Sequence, residues 1–146
     1  MIYCDSSFLL SLYVGDSGSE KASCLMEQAT SRLVWTTWHN LEFTAAMESR
    51  VGRELNSRDE AERVYQALAT HRDANTLFAD RILSWESVFV RGSQLARSFG
   101  ASLLSRSLDI VHVAACLELG IESFWTLDER QIGLANEAGL TVNQAD

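Results

Sequence analysis

The sequence predicts an α/β protein with a three-layer α/β/α arrangement, in which helices cover both faces of a central parallel sheet of about four or five strands. Three observations predict this class. Short apolar runs alternate with longer segments of helical periodicity, and strands separated by helices usually pair in parallel. Apolar residues make up 47% of the 146 residues, which is enough for an ordinary core. No repeat, low-complexity tract or linker interrupts the chain, so we expect one domain over residues 1–146.

The first half of the chain contains two predicted strands and four predicted helices. Residues 1–4 form a short apolar run, and the stretch FLLSLYV that follows Ser6 and Ser7 has helical character. Ser57 and Glu60 form a capping box that begins a later helix. We expect strands at residues 1–4 and 33–36, and helices over FLLSLYV, from Ser19, after His39 and Asn40, and from Ser57.

The second half is organised around a helix that is apolar almost all the way round. Ser107 is a good N-cap, and the apolar pattern over residues 110–119 predicts that this helix is covered on most sides. Gly120 then ends the helix. We expect further strands at residues 76–78, 124–126 and 140–142, and further helices from Ser84 and over residues 131–138.

The charge of the chain disfavours two classes of function. Twenty acids against twelve bases give a net charge of −8, and such a surface repels a polyanion at long range. A protein that simply coats nucleic acid is therefore disfavoured. A phosphoacceptor receiver domain is disfavoured because it needs a lysine after a late strand, whereas Lys21, in an early helix, is the only lysine.

The rest of the composition predicts a cytoplasmic protein. No apolar run approaches the roughly 20 residues of a membrane-spanning helix, and the N-terminus lacks the pattern of a secretory signal. Cys4, Cys24 and Cys116 are an odd number without a CxxC spacing, and they lie in apolar segments. They are predicted to be small buried residues rather than a disulfide framework or a zinc site.

Four carboxylates are predicted to meet at one edge of the sheet. Asp5 and Asp128 each follow a predicted strand, and Glu42 and Asp109 each lie in the first turn of a helix. The carboxyl ends of parallel strands are the edge where open α/β sheets bind their ligands. The alternative is that Asp5 and Asp109 only cap helices and that Asp128 lies in a solvated turn, because most aspartates are exposed and inert.

The convergence of these acids indicates a bound cation. Four carboxylates repel one another, which raises some of their pKa values and destabilises an empty site. Oxygen ligands select hard ions, so Mg²⁺ or Mn²⁺ is expected, with room left for a substrate phosphate. The natural chemistry is phosphodiester hydrolysis, in which one metal activates water and a second, about 4 Å away, stabilises the leaving oxygen. The histidines are too scattered for a metal pattern, and His112 is interpreted as a core or supporting residue.

Four segments together resemble the PIN domain, and more narrowly the VapC-type toxins of bacterial toxin–antitoxin pairs. The segments are IYCDSS followed by an apolar helix, LEFTAA, SLDIVHVAACLELG and FWTLDERQIGLANEAGL. The resemblance covers nearly the whole chain and implies a metal-dependent ribonuclease of PIN fold. The acids that match the family are Asp5, Glu42, Asp109 and Asp128, and the hydroxyl residues that match its supporting positions are Ser7 and Thr126.

The resemblance also implies partners. A VapC-type toxin is held inactive by a small VapB-type antitoxin that lies over the acidic groove, and an arginine from such a partner could enter the carboxylate cluster. A homodimer is expected as well, and RNA is the implied substrate. Arg50, Arg106 and Arg130 lie near site segments and either contact RNA phosphates or serve surface solubility.

Alternatives remain open for two ligands and for the function. Glu48 competes with Glu42, and Glu129 competes with Asp128 as the last ligand. Instead of a toxin, the chain could be a housekeeping PIN nuclease, or a non-catalytic interaction module in which the acids need not bind metal together.

Overall fold

The computed structural model describes residues 1–143, and its fold is the three-layer α/β/α arrangement that the sequence predicts. Residues 144–146 of the expected single domain lie outside the described part of the chain. The described strands are β1 (Ile2–Cys4), β2 (Leu33–Trp35), β3 (Phe78–Asp80), β4 (Ser123–Trp125) and β5 (Thr141–Val142). The described helices are α1 (Ser6–Ser11), α2 (Ser19–Gln28), α3 (Thr37–Gly52), α4 (Arg58–Asp73), α5 (Trp85–Leu103), α6 (Ser107–Glu118) and α7 (Glu129–Glu137).

The strands pair in parallel in the order β3-β2-β1-β4-β5. The chain first winds outward from β1 to β3 and later continues on the other side of β1 with β4. The winding direction therefore reverses between β1 and β4, which pair Ile2 with Ser123 and Cys4 with Trp125. At such a reversal the connections leave in opposite directions, and a crevice opens at the carboxyl ends of the strands. Because Asp5 follows β1 and residue 128 follows β4, the fold brings both to this crevice.

Alternate residues of each strand face two separate cores. Leu33 and Trp35 of β2 pack with helices α1 to α4 on one face, whereas Val34 packs with α5 to α7 on the other. Successive side chains of a strand point to opposite faces, so a sheet covered on both sides needs strands that are apolar throughout. This arrangement explains why the strand segments read as continuous apolar runs.

The start of α6 differs from the prediction. Ser107 is the first helical residue rather than the cap, and Arg106 occupies the N-cap position. The reason is that the Asp109 side chain accepts the backbone N–H of Arg106 at 3.1 Å, which closes the first turn one residue earlier. The apolar pattern is confirmed, since every residue from 110 to 116 is buried. Neither α6 nor any other described helix is long and apolar enough to span a membrane.

Four other predictions of position are wrong, and one prediction of burial. α1 spans Ser6–Ser11 rather than FLLSLYV, because the Asp5 side chain caps it, and α7 begins at Glu129 rather than at residue 131, because Asp128 caps it. α3 begins at Thr37, before His39, because Thr36 supplies a side-chain cap that the pattern did not indicate. Glu42 therefore lies in the second turn of α3 rather than in the first. The third strand lies at residues 78–80 rather than 76–78, where it pairs with β2. Cys24 is exposed, because the side of α2 that faces the core carries Ala22, Leu25 and Met26 and leaves Cys24 on the outer side.

Candidate active site

A cavity of about 410 Å³ opens at the crevice between the ends of β1 and β4. All four predicted acids line it, although they come from four separate segments of the chain. The lining residues are Asp5, Ser6, Ser7, Leu10, Glu42, Ala45, Ala46, Leu108, Asp109, His112, Asp128 and Gln131. A second cavity of about 510 Å³ lies at the ends of β2 and β3, but a single carboxylate, Asp80, lines it beside Arg72 and Arg81. The acidic cluster therefore belongs to the first cavity.

Asp5 is the buried member of the cluster, with 2% of its surface exposed. Its Oδ2 accepts hydrogen bonds from Ser7 Oγ at 2.6 Å, Thr126 Oγ1 at 3.1 Å and Gln131 Nε2 at 3.1 Å. Its Oδ1 accepts the backbone N–H of Phe8 at 2.9 Å, which caps α1. Burial raises the pKa of Asp5 above the usual range of a carboxyl, and the hydrogen bonds offset only part of this rise. Asp5 is thus firmly oriented, and a positive charge beside it would favour its ionised form.

Glu42 on α3 is held by His112 on α6. Its Oε2 lies 2.5 Å from His112 Nε2 and accepts a hydrogen bond from Ser6 Oγ at 2.8 Å. The hydroxyl of buried Tyr3 lies 3.1 Å from His112 Nδ1, and when it donates there the neutral ring carries its proton on Nε2. Burial opposes the charge of Glu42, but the bonds from His112 and Ser6 outweigh it and lower the pKa of Glu42. Glu42 is therefore kept ionised at the wall of the cavity.

A second buried histidine fixes the end of β1. His39 Nε2 donates to the carbonyl oxygen of Cys4 at 2.8 Å, and its Nδ1 accepts the backbone N–H of Thr36 at 3.0 Å. Burial lowers the pKa of His39 to about 3, so the ring is neutral and both roles are fixed. Because Cys4 immediately precedes Asp5, His39 couples the position of that carboxylate to the start of α3.

Asp109 and Asp128 cap helices and face the cavity at the same time. Asp109 Oδ2 accepts the backbone N–H of Arg106, and Asp128 Oδ1 accepts that of Arg130 at 2.7 Å. These bonds satisfy N–H groups that have no partner inside α6 and α7. The capping alternative thus describes backbone contacts that Asp5 and Asp109 make, but both also line the cavity. Asp128 caps α7 instead of lying in a solvated turn, and it lines the cavity as well. Capping and a role in the site are compatible.

Gln131 joins two of these acids, although the sequence predicts no role for it. Its Nε2 donates to Asp5 Oδ2 and, at 3.4 Å, to Asp109 Oδ1. Its Oε1 is buried, and no described residue donates to it. Gln131 stands three residues after Asp128 in the first turn of α7, a spacing that places both side chains on one face of a helix. That spacing was the only available indication in the sequence.

The three predicted phosphate-contact arginines do not line the cavity. Arg50 donates from Nε to Asn56 Oδ1 at 2.6 Å, and Arg106 is exposed. Arg130 is exposed at the rim, with its Nε 3.9 Å from Asp128 Oδ1. Of the three, Arg130 has its guanidinium beside one of the acids.

The two alternative ligands also lie outside the cavity. Glu48 is exposed and pairs with Arg58 at 2.7 Å, and hydrogen bonds from Arg58 and Tyr65 lower the pKa of Glu48 to about 2. Glu129 is exposed in the first turn of α7. The geometry therefore favours Glu42 and Asp128 over these alternatives.

The cavity offers oxygen donors to a cation, but the donors are spread apart. Carboxylate oxygens and the unpaired Oε1 of Gln131 are hard ligands, of the kind that Mg²⁺ and Mn²⁺ bind. Among residues 1–143, no three His, Cys, Asp or Glu side chains are placed so that they could hold one ion together. The amide of Gln131 stands between Asp5 and Asp109. The donor chemistry fits a hard divalent cation, around which these side chains would have to draw closer.

Two comparisons relate the chain to known proteins. The model of the PIN domain family matches residues 2–137, which is nearly the whole chain. In fold, the chain is similar to VapC20 of Mycobacterium tuberculosis, a sarcin-ricin loop cleaving toxin. The TM-score is 0.67, the sequence identity is 15%, and 97% of each chain is covered, so this likeness concerns the fold alone. No curated protein is significantly similar to the chain in sequence.

Proposed function

Because the chain belongs to the PIN domain family, we propose that it is a metal-dependent endoribonuclease whose active site is the acidic cavity between β1 and β4. Four carboxylates from separate segments line one cavity at the reversal of the sheet, and this is the observation that carries the proposal. Such a concentration of negative charge is unfavourable in a protein whose net charge is already −8. A divalent cation would offset the repulsion and attract a phosphodiester.

Some side chains around the cavity would bind a cation directly, and others orient the side chains that bind it. Asp5, Asp109 and Asp128 supply the carboxylate oxygens that would bind it. Ser7 and Thr126 orient the carboxylate of Asp5 through their hydrogen bonds to Oδ2. When bound, Mg²⁺ or Mn²⁺ lowers the pKa of an attacking water and neutralises charge on the phosphate.

Glu42 has a different environment from the three aspartates. Its Oε2 accepts hydrogen bonds from two side chains, so it is held ionised against one wall of the cavity. From there it would hold a water molecule by accepting a hydrogen bond through its remaining oxygen, Oε1. His112, which donates to Glu42, is 3% exposed and so is shielded from bulk water. We therefore propose that His112 positions Glu42 and does not contact RNA.

We further propose that the chain is the toxin of a toxin–antitoxin pair, a cytoplasmic homodimer inhibited by a VapB-type antitoxin. The supporting observations are the VapC-like segments of the sequence and the similarity in fold to a VapC toxin. The cavity also suits such an inhibitor. An arginine would enter the carboxylate cluster, and Leu108, which lines the cavity and is 53% exposed, offers apolar surface beside it.

Cleavage of purified total RNA tests the nuclease proposal. We expect discrete fragments with Mg²⁺ or Mn²⁺, and intact RNA with EDTA or with an Asp109→Asn variant. Asp73→Asn is the matched control, because it makes the same change at an exposed aspartate at the end of α4 and should cleave like the wild type. Intact RNA with folded wild-type protein in both metals would contradict the proposal and favour a non-catalytic interaction module.

Expression in bacterial cells tests the toxin proposal separately. We expect growth arrest by the wild type, no arrest by Asp109→Asn, and relief of the arrest by co-expression of a short reading frame that neighbours the gene. Unaffected growth, together with RNA cleavage by the purified protein, would indicate a housekeeping nuclease instead.

A further inference from the structure

We propose that Gln131 belongs to the cation site: its amide ties Asp5 to Asp109 in the cation-free protein and supplies Oε1 as a ligand when a cation binds. The inference rests on the proposed metal-dependent nuclease and adds a neutral residue to its four acids. Gln131 is only 5% exposed, and it lines the same cavity as the acids. Its position inside the cluster distinguishes it from the exposed glutamines of the other helices.

The amide nitrogen lies between two carboxylates. Nε2 is 3.1 Å from Asp5 Oδ2 and 3.4 Å from Asp109 Oδ1, so one NH₂ group reaches both side chains. A glutamine amide has two N–H donors, one for each acid. Their partial positive charge offsets the repulsion between the carboxylates, as a cation would do more strongly. Gln131 thus holds the two aspartates near each other before any cation arrives.

The oxygen of the same amide has no role within the fold. Gln131 Oε1 is buried, and no described residue donates a hydrogen bond to it. Native proteins seldom leave a buried acceptor unpaired, because the lost hydration is not recovered. The last torsion of a glutamine side chain is broad and roughly two-fold, so the amide can turn and exchange Nε2 for Oε1. After the turn an amide oxygen faces the carboxylates, which completes the kind of oxygen set that Mg²⁺ and Mn²⁺ prefer.

The contacts of Asp5 explain why Gln131 is the group that turns. Oδ2 of Asp5 already accepts three hydrogen bonds, so a cation can contact this oxygen only if one donor leaves. The bond from Ser7 is the shortest, at 2.6 Å, and Thr126 Oγ1 is fixed by accepting the backbone N–H of Asp128 at 3.0 Å. Gln131 is the donor whose release also presents a new ligand.

Calorimetric titration with Mn²⁺ tests the inference on four proteins. Gln131→Met keeps the length of the side chain but removes the amide, and we expect it to weaken Mn²⁺ binding roughly 10- to 100-fold. Gln131→Glu places a carboxylate at the same point and should tighten binding roughly ten-fold, because ligand charge sets affinity. Gln66→Glu adds the same charge on an exposed helix position and should bind Mn²⁺ like the wild type.

Two further readouts do not depend on enzymatic activity. Without cation, Gln131→Glu should melt at a lower temperature than the wild type and show the largest rise on addition of Mn²⁺, because it adds a third carboxylate to the pair. In the wild type, Mg²⁺ should shift the side-chain amide NMR signals of Gln131 and leave those of Gln66 unchanged.

The outcomes separate this inference from the proposed function. If the wild type binds Mn²⁺ and both Gln131 variants bind it with the same affinity as the wild type, Gln131 has no role in the cation site. Side-chain amide signals of Gln131 that do not shift on addition of Mg²⁺ would also overturn this role. A wild type that binds no Mn²⁺ would overturn the cation site itself. Changed affinities in the Gln131 variants together with uncut RNA would support the role of Gln131 and count against the nuclease.

Discussion

Replacing His39 should remove much of the acid sensitivity of the fold. Burial lowers the pKa of His39 to about 3 from the ordinary value of 6.5, which the unfolded chain retains. Between these values the unfolded state binds a proton that the folded state does not. The stability that His39 contributes is therefore complete above pH 6.5 and is lost as the pH falls toward 3.

The size of the effect follows from the pKa difference. A difference of one bound proton changes the free energy of unfolding by about 1.4 kcal/mol per pH unit. From pH 7 to pH 5 the neutral His39 ring therefore accounts for a loss of about 2 kcal/mol. His39→Gln does not titrate, and its amide can both donate to the Cys4 carbonyl and accept from Thr36, although less well. We expect the variant to lose about 1–2 kcal/mol at pH 7 but to fall less steeply with acid.

Urea unfolding followed by tryptophan fluorescence at pH 7, 6 and 5 measures this difference. His71 and His112 are present in both proteins, so the difference between the two pH curves measures His39 together with its interaction with the neighbouring His112 ring. Parallel curves for the wild type and His39→Gln would refute the reasoning, because they would mean that the folded ring accepts a proton as readily as the unfolded one.

Three further substitutions test the surroundings of the site. His112→Ala removes the hydrogen bonds of a buried ring to Tyr3, Glu42 and Ser6 and should lower the free energy of unfolding by about 2–5 kcal/mol, measured in urea. Asp5→Asn should be at least as stable as the wild type at pH 7 without cation, because burial raises the pKa of Asp5 and the ionised carboxylate therefore lowers the stability of the fold at this pH. RNA cleavage by the same variant should nevertheless fall more than roughly 100-fold. Gly18→Ala places a Cβ 2.5 Å from Leu127 Cδ1 and 2.8 Å from Ser11 Oγ, so both side chains must shift, and it should cost about 1 kcal/mol in thermal unfolding. Gly52→Ala meets nothing within 4 Å and should cost nothing.

Each of these three predictions would be contradicted by a specific experimental result. Unchanged stability of His112→Ala would mean that its hydrogen bonds contribute nothing to the fold. Strong destabilisation of Asp5→Asn in the absence of cation would show that the buried charge is favourable as it stands. Equal melting temperatures for the Gly18 and Gly52 variants would show that Leu127 moves aside freely.

Local patterns in the sequence were enough to predict the layers of the fold and the edge of the sheet at which the acidic cavity opens. Apolar strands followed by capped helices place Asp5 and residue 128 after strands, and these placements need no knowledge of strand order. The apolar run of α6 predicts its burial for the same reason. Such features depend on neighbours a few residues apart, where periodicity and capping chemistry determine the structure.

The support around the acids could not be predicted in the same way. Glu42 and His112 are 70 residues apart and meet only because α3 and α6 flank the same crevice. Gln131 carries no charge and belongs to no ligand pattern, so its contact with Asp109 arises only when α7 packs beside α6. The three arginines near site segments do not line the cavity, because proximity along the chain does not determine where a long side chain points, and their contact with RNA stays a prediction. Tertiary packing decides all of these contacts.

The chemistry of the RNA fragment ends tests the central claim most directly. If a cation in the acidic cavity activates water, the 2′-hydroxyl of RNA takes no part, and the new ends are a phosphate monoester and a hydroxyl. Mass spectrometry of fragments made by the wild type with Mn²⁺ should show these ends, and EDTA should abolish the fragments. Ends that carry 2′,3′-cyclic phosphate and form equally well with EDTA would contradict the claim, because they require attack by the 2′-hydroxyl without a metal.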